Sequence, residues 1–343
     1  MITKDNYIWT EANGFIGKFV DIDKKSNLFV SATNVYHLIN HPETPGAIVN
    51  FGLVNRIPHI NRFFLAVHEK LEADGLFLGC FETFTARQVR KFGTGSGLIL
   101  KQRGIADFVF HRIFPKLPAF KNLYFAFTKG QNRVLSKAEV LGRLVYCGFE
   151  IVECTEINNI NYFVVRKSSM PRQDENPSYG PLFKMSRVGK HGKIFKVYKF
   201  RTMHPYSEYL QDYVLSLSGY SQTGKPANDF RLAPWGKLLR KYWIDEIPQL
   251  INLLKGDMKL VGIRPVSLSY TKDIPAELQL LRLSQKPGCI PPYVALNMGS
   301  DRESVLEAER LYLLDKKAHP YFTDTKYFFQ ALYNIIFRKR RSS

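Results

Sequence analysis

Apolar positions in the first half of the chain fall into short alternating runs. GAIVNFGLV (46–54) and GLFLGCF (75–81) are nearly continuous apolar segments opened by glycine, the pattern of buried strands. Between them PHINRFFLAVHEKLE (58–72) repeats its apolar residues at the three-and-four spacing of an amphipathic helix. Ser136 and Glu139 form a capping-box signature ahead of KAEVLGRLVYCGF, Gly148 ends that helix, and FEIVEC and NYFVVRK follow as strands. The order β-α-β then α-β-β predicts an α/β sheet domain over residues 1–170.

One stretch breaks the alternation. Residues 98–130, LILKQRGIADFVFHRIFPKLPAFKNLYFAFTKG, are rich in aromatics, interrupted by Pro115 and Pro118, and bracketed by Lys101, Arg103, Lys121 and Lys129. Two short apolar helices meeting at a proline break, with basic ends, suit a hairpin dipping into one leaflet of a bilayer. They equally suit a helix–loop–helix packed on the sheet domain. SSMPRQDENPS (168–178) is polar and proline-containing, so 171–178 reads as a linker. In the second domain, 179–343, RVGKHGK reads as a hairpin turn between strands, and helices dominate from Pro234 onward. The tail NIIFRKRRSS sets basic beside apolar residues, as membrane-surface segments and solvated chain ends both do.

Length and charge narrow the picture. At 343 residues the chain exceeds the roughly 250 residues that one core usually serves, so two domains are expected. A net charge of +19 calls for an acidic partner: nucleic acid, an anionic membrane, or phosphorylated small molecules. Cys80, Cys147, Cys154 and Cys289 fit no metal or disulfide spacing, which favours a reducing compartment. MITKDNYIW lacks the basic-then-apolar order of a signal peptide, and no segment offers the roughly 18–20 apolar residues of a spanning helix.

The chemistry gathers in LRKYWIDEIPQLINLLKGDMKLVGIRP (239–265). Asp245 and Glu246 stand at the entrance of a short helix, with Pro248 in its opening turn where a missing N–H costs nothing. An ionised aspartate there is a competent nucleophile toward phosphorus, and two adjacent carboxylates can hold Mg²⁺. Simple capping explains the dipeptide alone. Its setting argues for more: Arg231, Lys237, Arg240 and Lys241 precede it, and Lys255, Lys259 and Arg264 follow. Asp257 follows Gly256 in a turn suited to a structural carboxylate. Pro265 biases Arg264 to an extended backbone with its fork outward, a match for a diphosphate. In KFRTM, Lys199 and Arg201 share one face of a strand through their spacing of two.

GPLFKMSRVGKHGKIFKVYKFRTM, then 239–265, then KPG at 286–288, together closely resemble the bacterial sugar transferase family, the monotopic polyprenyl-phosphate phosphoglycosyl transferases, over about 178–343. The resemblance implies a helix-rich α+β domain on the cytoplasmic face of the bacterial inner membrane. It implies transfer of a sugar-1-phosphate from a UDP-sugar to a polyprenyl phosphate, with release of UMP and with Mg²⁺, opening surface-polysaccharide synthesis. Asp245 would be the nucleophile that forms a covalent phosphosugar, and Glu246 its partner in metal or proton handling. Arg240, Arg264, Lys199 and Arg201 would hold phosphate, with Asp257 and Pro265 in support.

Two departures stand out. The family's Gly-Pro-Arg-Pro turn has Ile263 in place of its first proline. Its re-entrant membrane helix, normally just before the GP-x-F strand, has no counterpart there; 103–128 resembles a short, polar version displaced upstream, with Arg103, Phe108, Phe110, Phe114 and Pro115 as membrane contacts. The flanking pieces, 46–81 and 135–167, look like the second half of a class I methyltransferase sheet that lacks the glycine-rich cofactor turn, a degenerate scaffold. An active S-adenosylmethionine-dependent methyltransferase on a sugar or lipid precursor is the alternative function. Nucleic-acid binding is not expected, because acids among the bases would repel a phosphate backbone.

Overall fold

The computed structural model describes residues 12–93, 95, 97–172, 179–218 and 229–338. The chain divides into two units, Met1–Gly180 with His204–Arg231, and Pro181–Met203 with Leu232–Ser343. Residues 204–231 therefore interrupt the second unit in sequence while belonging to the first. Of the expected linker 171–178, residues 173–178 lie outside the described residues, as does the basic end of the tail, 339–343.

The first unit is an α/β sheet domain. Its strands β1 (Asn27–Val30), β2 (Ala47–Leu53), β3 (Leu76–Glu82), β4 (Phe149–Ile157) and β5 (Ile160–Lys167) lie in the order β1-β2-β3-β5-β4. The first three run parallel, and β5 is antiparallel to both neighbours. The strands expected at 46–54 and 75–81 are β2 and β3, and helix α1 (Ile60–Lys70) crosses between them with Phe63, Phe64 and Val67 buried. Phe77, Phe149 and Phe163 complete the aromatic core. The β4–β5 hairpin closes on Asn158 and Asn159, both left-handed, as a two-residue turn requires.

Helices α2 (Phe84–Phe92), α3 (Leu98–Phe108) and α4 (Pro118–Thr128) precede α5 (Lys137–Tyr146), whose Ser136 cap accepts from the Glu139 N–H at 3.2 Å. The capping box is only half formed, because the Glu139 carboxylate turns inward instead, 1% exposed, to Arg112 and Arg143. Between α3 and α4 the chain runs through a π turn (Val109–Ile113) and a 3₁₀ turn (Phe114–Lys116) into the proline break. This hairpin packs on its own unit through Arg112, Pro115 and Tyr124, all buried. Its outer side exposes Ile105, Phe110, Leu123 and Phe127. Pro115 is buried and so is not free to meet a membrane, whereas Phe108 is half-buried and packs on the Phe84 ring at 4.9 Å. Arg103 and Phe110 are exposed, and Phe114 is half-buried against Phe120.

Residues 204–231 anchor firmly to this unit. The Tyr206 ring lies 4.3 Å from the Arg143 guanidinium, and its hydroxyl accepts from Asn61 at 2.8 Å. Gly142 is required by that approach: a Cβ there would stand 2.2 Å from the Tyr206 carbonyl oxygen.

The second unit begins with the antiparallel hairpin β6 (Leu182–Val188) and β7 (Ile194–Phe200), closed at the expected turn with His191 and Gly192 at positive φ. After α6 (Pro234–Lys241) come a 3₁₀ turn (Ile244–Gln249) and the short α7 (Leu250–Leu254). Strands β8 (Lys259–Val261) and β9 (Gly288–Ile290) pair in parallel, and the long helices α8 (Arg302–Ala318) and α9 (Thr323–Ile336) finish the unit. Gly288, in the KPG run, permits the β8–β9 contact, since a Cβ would fall 2.0 Å from the Gly262 nitrogen. Among the described residues no helix is long and apolar enough to cross a membrane.

Candidate active site

Asp245 and Glu246 stand in the 3₁₀ turn rather than in the first turn of an α-helix. The Glu246 N–H donates to the Trp243 carbonyl at 3.1 Å, a three-residue closure, and Pro248 has no N–H to add to the turn. Only five residues of α-helix follow, which leaves little macrodipole to favour the acids. Trp243 enters the turn in the left-handed region, with φ 58°. Asn252, fully buried, ties the following helix to β7: it donates to the Lys196 carbonyl at 2.7 Å and accepts from the Tyr198 N–H at 3.1 Å. Asp257 supports the same turn, its N–H donating to the Asn252 carbonyl at 3.0 Å.

The carboxylates differ in setting. Glu246 accepts from Lys199 at 2.6 Å and from Gln249 at 3.0 Å. Asp245 is 8% exposed, and burial raises its pKa. The Lys199 charge opposes that rise, Glu246 adds to it and Arg240 opposes it again. Arg240 is itself held by Thr202, its Nε donating to Oγ1 at 3.0 Å. Buried Gly236 sets α6 against that same residue, with room only for hydrogen where a Cβ would lie 2.0 Å from the Thr202 oxygen.

Two cavities share Arg187, Arg264 and Pro265 in their walls. The narrower, about 60 Å³, is lined further by Lys199, Glu246 and Gln249. The wider, about 390 Å³, opens toward Tyr270 and Arg302. Glu246 reaches the narrower cavity; Asp245 lines neither. Arg201 lines neither as well: its guanidinium stacks on the Phe183 ring at 5.1 Å. Arg231 belongs to the first unit, bound to Asp229 and Gln211.

Arg264 keeps its backbone without the missing proline. Glu309 accepts its N–H at 2.9 Å, Arg282 donates to its carbonyl at 2.7 Å, and Arg282 and Glu309 form a buried ion pair that closes the bracket. The Arg264 side chain is exposed and bonds to nothing among the described residues. Arg187, Glu309, Arg282, Asn252 and Gln249 escaped sequence reasoning, because each acts through a partner distant in the chain or on an unmarked helix face.

Among the described residues no three His, Cys, Asp or Glu side chains converge as metal ligands. The paired carboxylates beside a phosphate-sized cavity still fit Mg²⁺, which takes one or two protein carboxylates and draws the rest of its shell from phosphates and water.

Glu246, held by Lys199, thus shares the narrower cavity with Arg187 and Arg264, whose guanidinium groups pair with no acid among the described residues. Residues 173–338 match the family described as Bacterial sugar transferase. The galactosyl transferase CpsE of Streptococcus agalactiae is 37% identical over 147 residues, 42% of this chain and 30% of that protein. The undecaprenyl-phosphate galactose phosphotransferase of Salmonella typhimurium is 43% identical over 93 residues, 25% of this chain and 20% of that one. An uncharacterized sugar transferase of Haemophilus influenzae is 29% identical over 246 residues, 69% of this chain and 48% of its own length. The matched stretches thus span less than half of these relatives. The match places residues 173–338, just under half of the chain, in the bacterial sugar transferase family.

Proposed function

We propose that the protein transfers a sugar-1-phosphate from a UDP-sugar to a polyprenyl phosphate, as a step in surface-polysaccharide synthesis. The names of two relatives support the reaction class: the Salmonella galactose phosphotransferase and an Aeromonas hydrophila N-acetylgalactosaminephosphotransferase both act with undecaprenyl phosphate. The observation that carries the reading is the Asp245–Glu246 pair set against Lys199, with the unpaired Arg264 across the narrow cavity.

The chemistry follows from those residues. Lys199 and Glu246 are each about a quarter exposed, so their pair is open to solvent at the cavity and can yield to a diphosphate that offers Lys199 a stronger partner. Glu246 is then released from the cavity mouth, and Asp245 gains access to the phosphorus next to the sugar. Its Oδ forms a bond to that phosphorus while the bridging P–O bond breaks, and UMP leaves with the bridging oxygen. An oxygen of the polyprenyl phosphate next attacks the same phosphorus, the Asp245–phosphorus bond breaks, and the carboxylate is restored. Arg264 and Arg240 offset the negative charge that builds up during both steps. Asp245 and Glu246 would hold Mg²⁺, which supplies neutralisation of phosphate charge. The exposed apolar side of 98–128, with Arg103, Lys121 and Lys129, would seat the protein on an anionic bilayer where its lipid substrate lies.

The test is UMP release from a panel of UDP-sugars with polyprenyl phosphate, for the intact chain and for Asp245→Asn. A stoichiometric burst of UMP from UDP-sugar alone, sustained turnover only when polyprenyl phosphate is added, and loss of both in the variant support the reading; unchanged release by Asp245→Asn rules the mechanism out.

A further inference from the structure

We propose that the wider cavity, about 390 Å³, is the seat of the nucleoside part of a nucleoside diphosphate, with the diphosphate against Arg187 and Arg264 at the wall shared with the narrower cavity. This rests on the proposed function and adds where the nucleotide lies. The volume falls within the roughly 300–1,000 Å³ of small-molecule sites.

Charge points to the ligand. Arg187, Arg264 and Arg302 line the cavity against one acid, Glu309, whose oxygens are already committed to Arg282 and the Arg264 N–H. The arginine donors meet no anion: Arg187 reaches the Ser186 carbonyl and the Met185 sulfur, and Arg302 the Asp273 carbonyl. Burial and the neighbouring Arg264 charge both push the Arg187 guanidinium below its ordinary value, so the two cations stand close and uncompensated. Two neighbouring guanidinium groups without an acid match a group with several anionic oxygens better than a single phosphate.

The remaining walls select the rest of the molecule. Tyr270 is the one aromatic ring in the lining, Val305 and Leu306 give apolar surface, and the Ser267 and Ser300 hydroxyls lie in the same cavity. A flat base and a ribose diol use all three kinds of surface. A polyprenyl chain would use the apolar part alone and would have to pass Arg302.

The experiment is calorimetric titration of the full chain with UDP, UMP and inorganic phosphate, repeated on Ser300→Tyr and Arg302→Gln. Ser300 is exposed, so its substitution tests the cavity without burdening the fold. UDP should bind most tightly, UMP more weakly and phosphate weakest, and each variant should weaken UDP about ten-fold, the effect of losing one charged hydrogen bond or comparable space. Polyprenyl phosphate dependence should not move. Unchanged UDP affinity in both variants, or a raised KM for the lipid instead, overturns the assignment. UDP held in this cavity by a chain that transfers nothing would remove the proposed function and leave the cavity standing. Normal transfer with UDP affinity untouched by either variant would do the reverse.

Discussion

Glu309→Gln tests how Arg264 is held. Glu309 is 1% exposed and Arg282 is 7% exposed, so their ion pair is a buried one. The glutamine keeps the volume but removes the charge, and Arg282 is left buried with no counter-ion. Removing one member of such a pair costs about 3–5 kcal/mol. At a urea slope of roughly 2 kcal/mol per molar, the midpoint should fall by about 2 M. Two of the three tryptophans, Trp235 and Trp243, lie in this unit, so their fluorescence reports its unfolding. The double variant Arg282→Met, Glu309→Met removes both charges and should recover much of the loss, since an apolar pair of similar size replaces a buried ion pair at little cost. It still leaves the Arg264 N–H without its acceptor, worth about 1–3 kcal/mol. Transfer activity should stay low in both variants, because Arg264 has lost its clamp. A loss under about 1 kcal/mol in Glu309→Gln, with full activity, would refute the bracket as the device that replaces the missing proline.

Other outcomes follow from the same geometry. Gly236→Val forces a side chain into the Thr202 carbonyl and should destabilise the second unit by about 1–3 kcal/mol while lowering activity through Arg240; a variant with wild-type melting and turnover would contradict this. Burial, with the Arg112 charge, pushes His204 down to about 3, so it stays neutral when folded but takes up a proton below its ordinary value once unfolded. Stability of the first unit should therefore fall as pH drops from about 6.5, by about 2 kcal/mol at pH 5 from this residue, and His204→Gln should flatten that slope in a melting series. Leu123→Glu with Phe127→Glu, both at exposed positions, should reduce co-sedimentation with anionic vesicles without changing the melting temperature; undiminished binding would move the membrane contact elsewhere.

The sequence made the local features legible. The β6–β7 turn was readable from its two glycines, β2, β3 and α1 from their period, and the proline break at 115–118 from the rings themselves. The carboxylate pair and Arg264 stood out through the charges around them. What escaped depends on contacts between distant residues. Arg112 finds Glu139 across 27 positions through a π turn that no periodicity announces, and Glu139 abandons its cap to meet it. Glu309 lies on a long helix where an acid is unremarked, 45 residues from the N–H it accepts. The docking of 204–231 on the sheet domain turns on the lack of a side chain at Gly142, which in sequence is only a weak spot in a helix. β1 was missed because NLFV is too short to separate from a loop.

The most direct measurement is mass spectrometry of the chain after brief exposure to UDP-sugar without lipid acceptor. A sugar-phosphate adduct on the peptide carrying Asp245, discharged by added polyprenyl phosphate and absent from Asp245→Asn, is the expected result. Continued transfer with no adduct, or with the adduct on another side chain such as Cys289 in the cavity wall, would contradict the nucleophile assigned to this site.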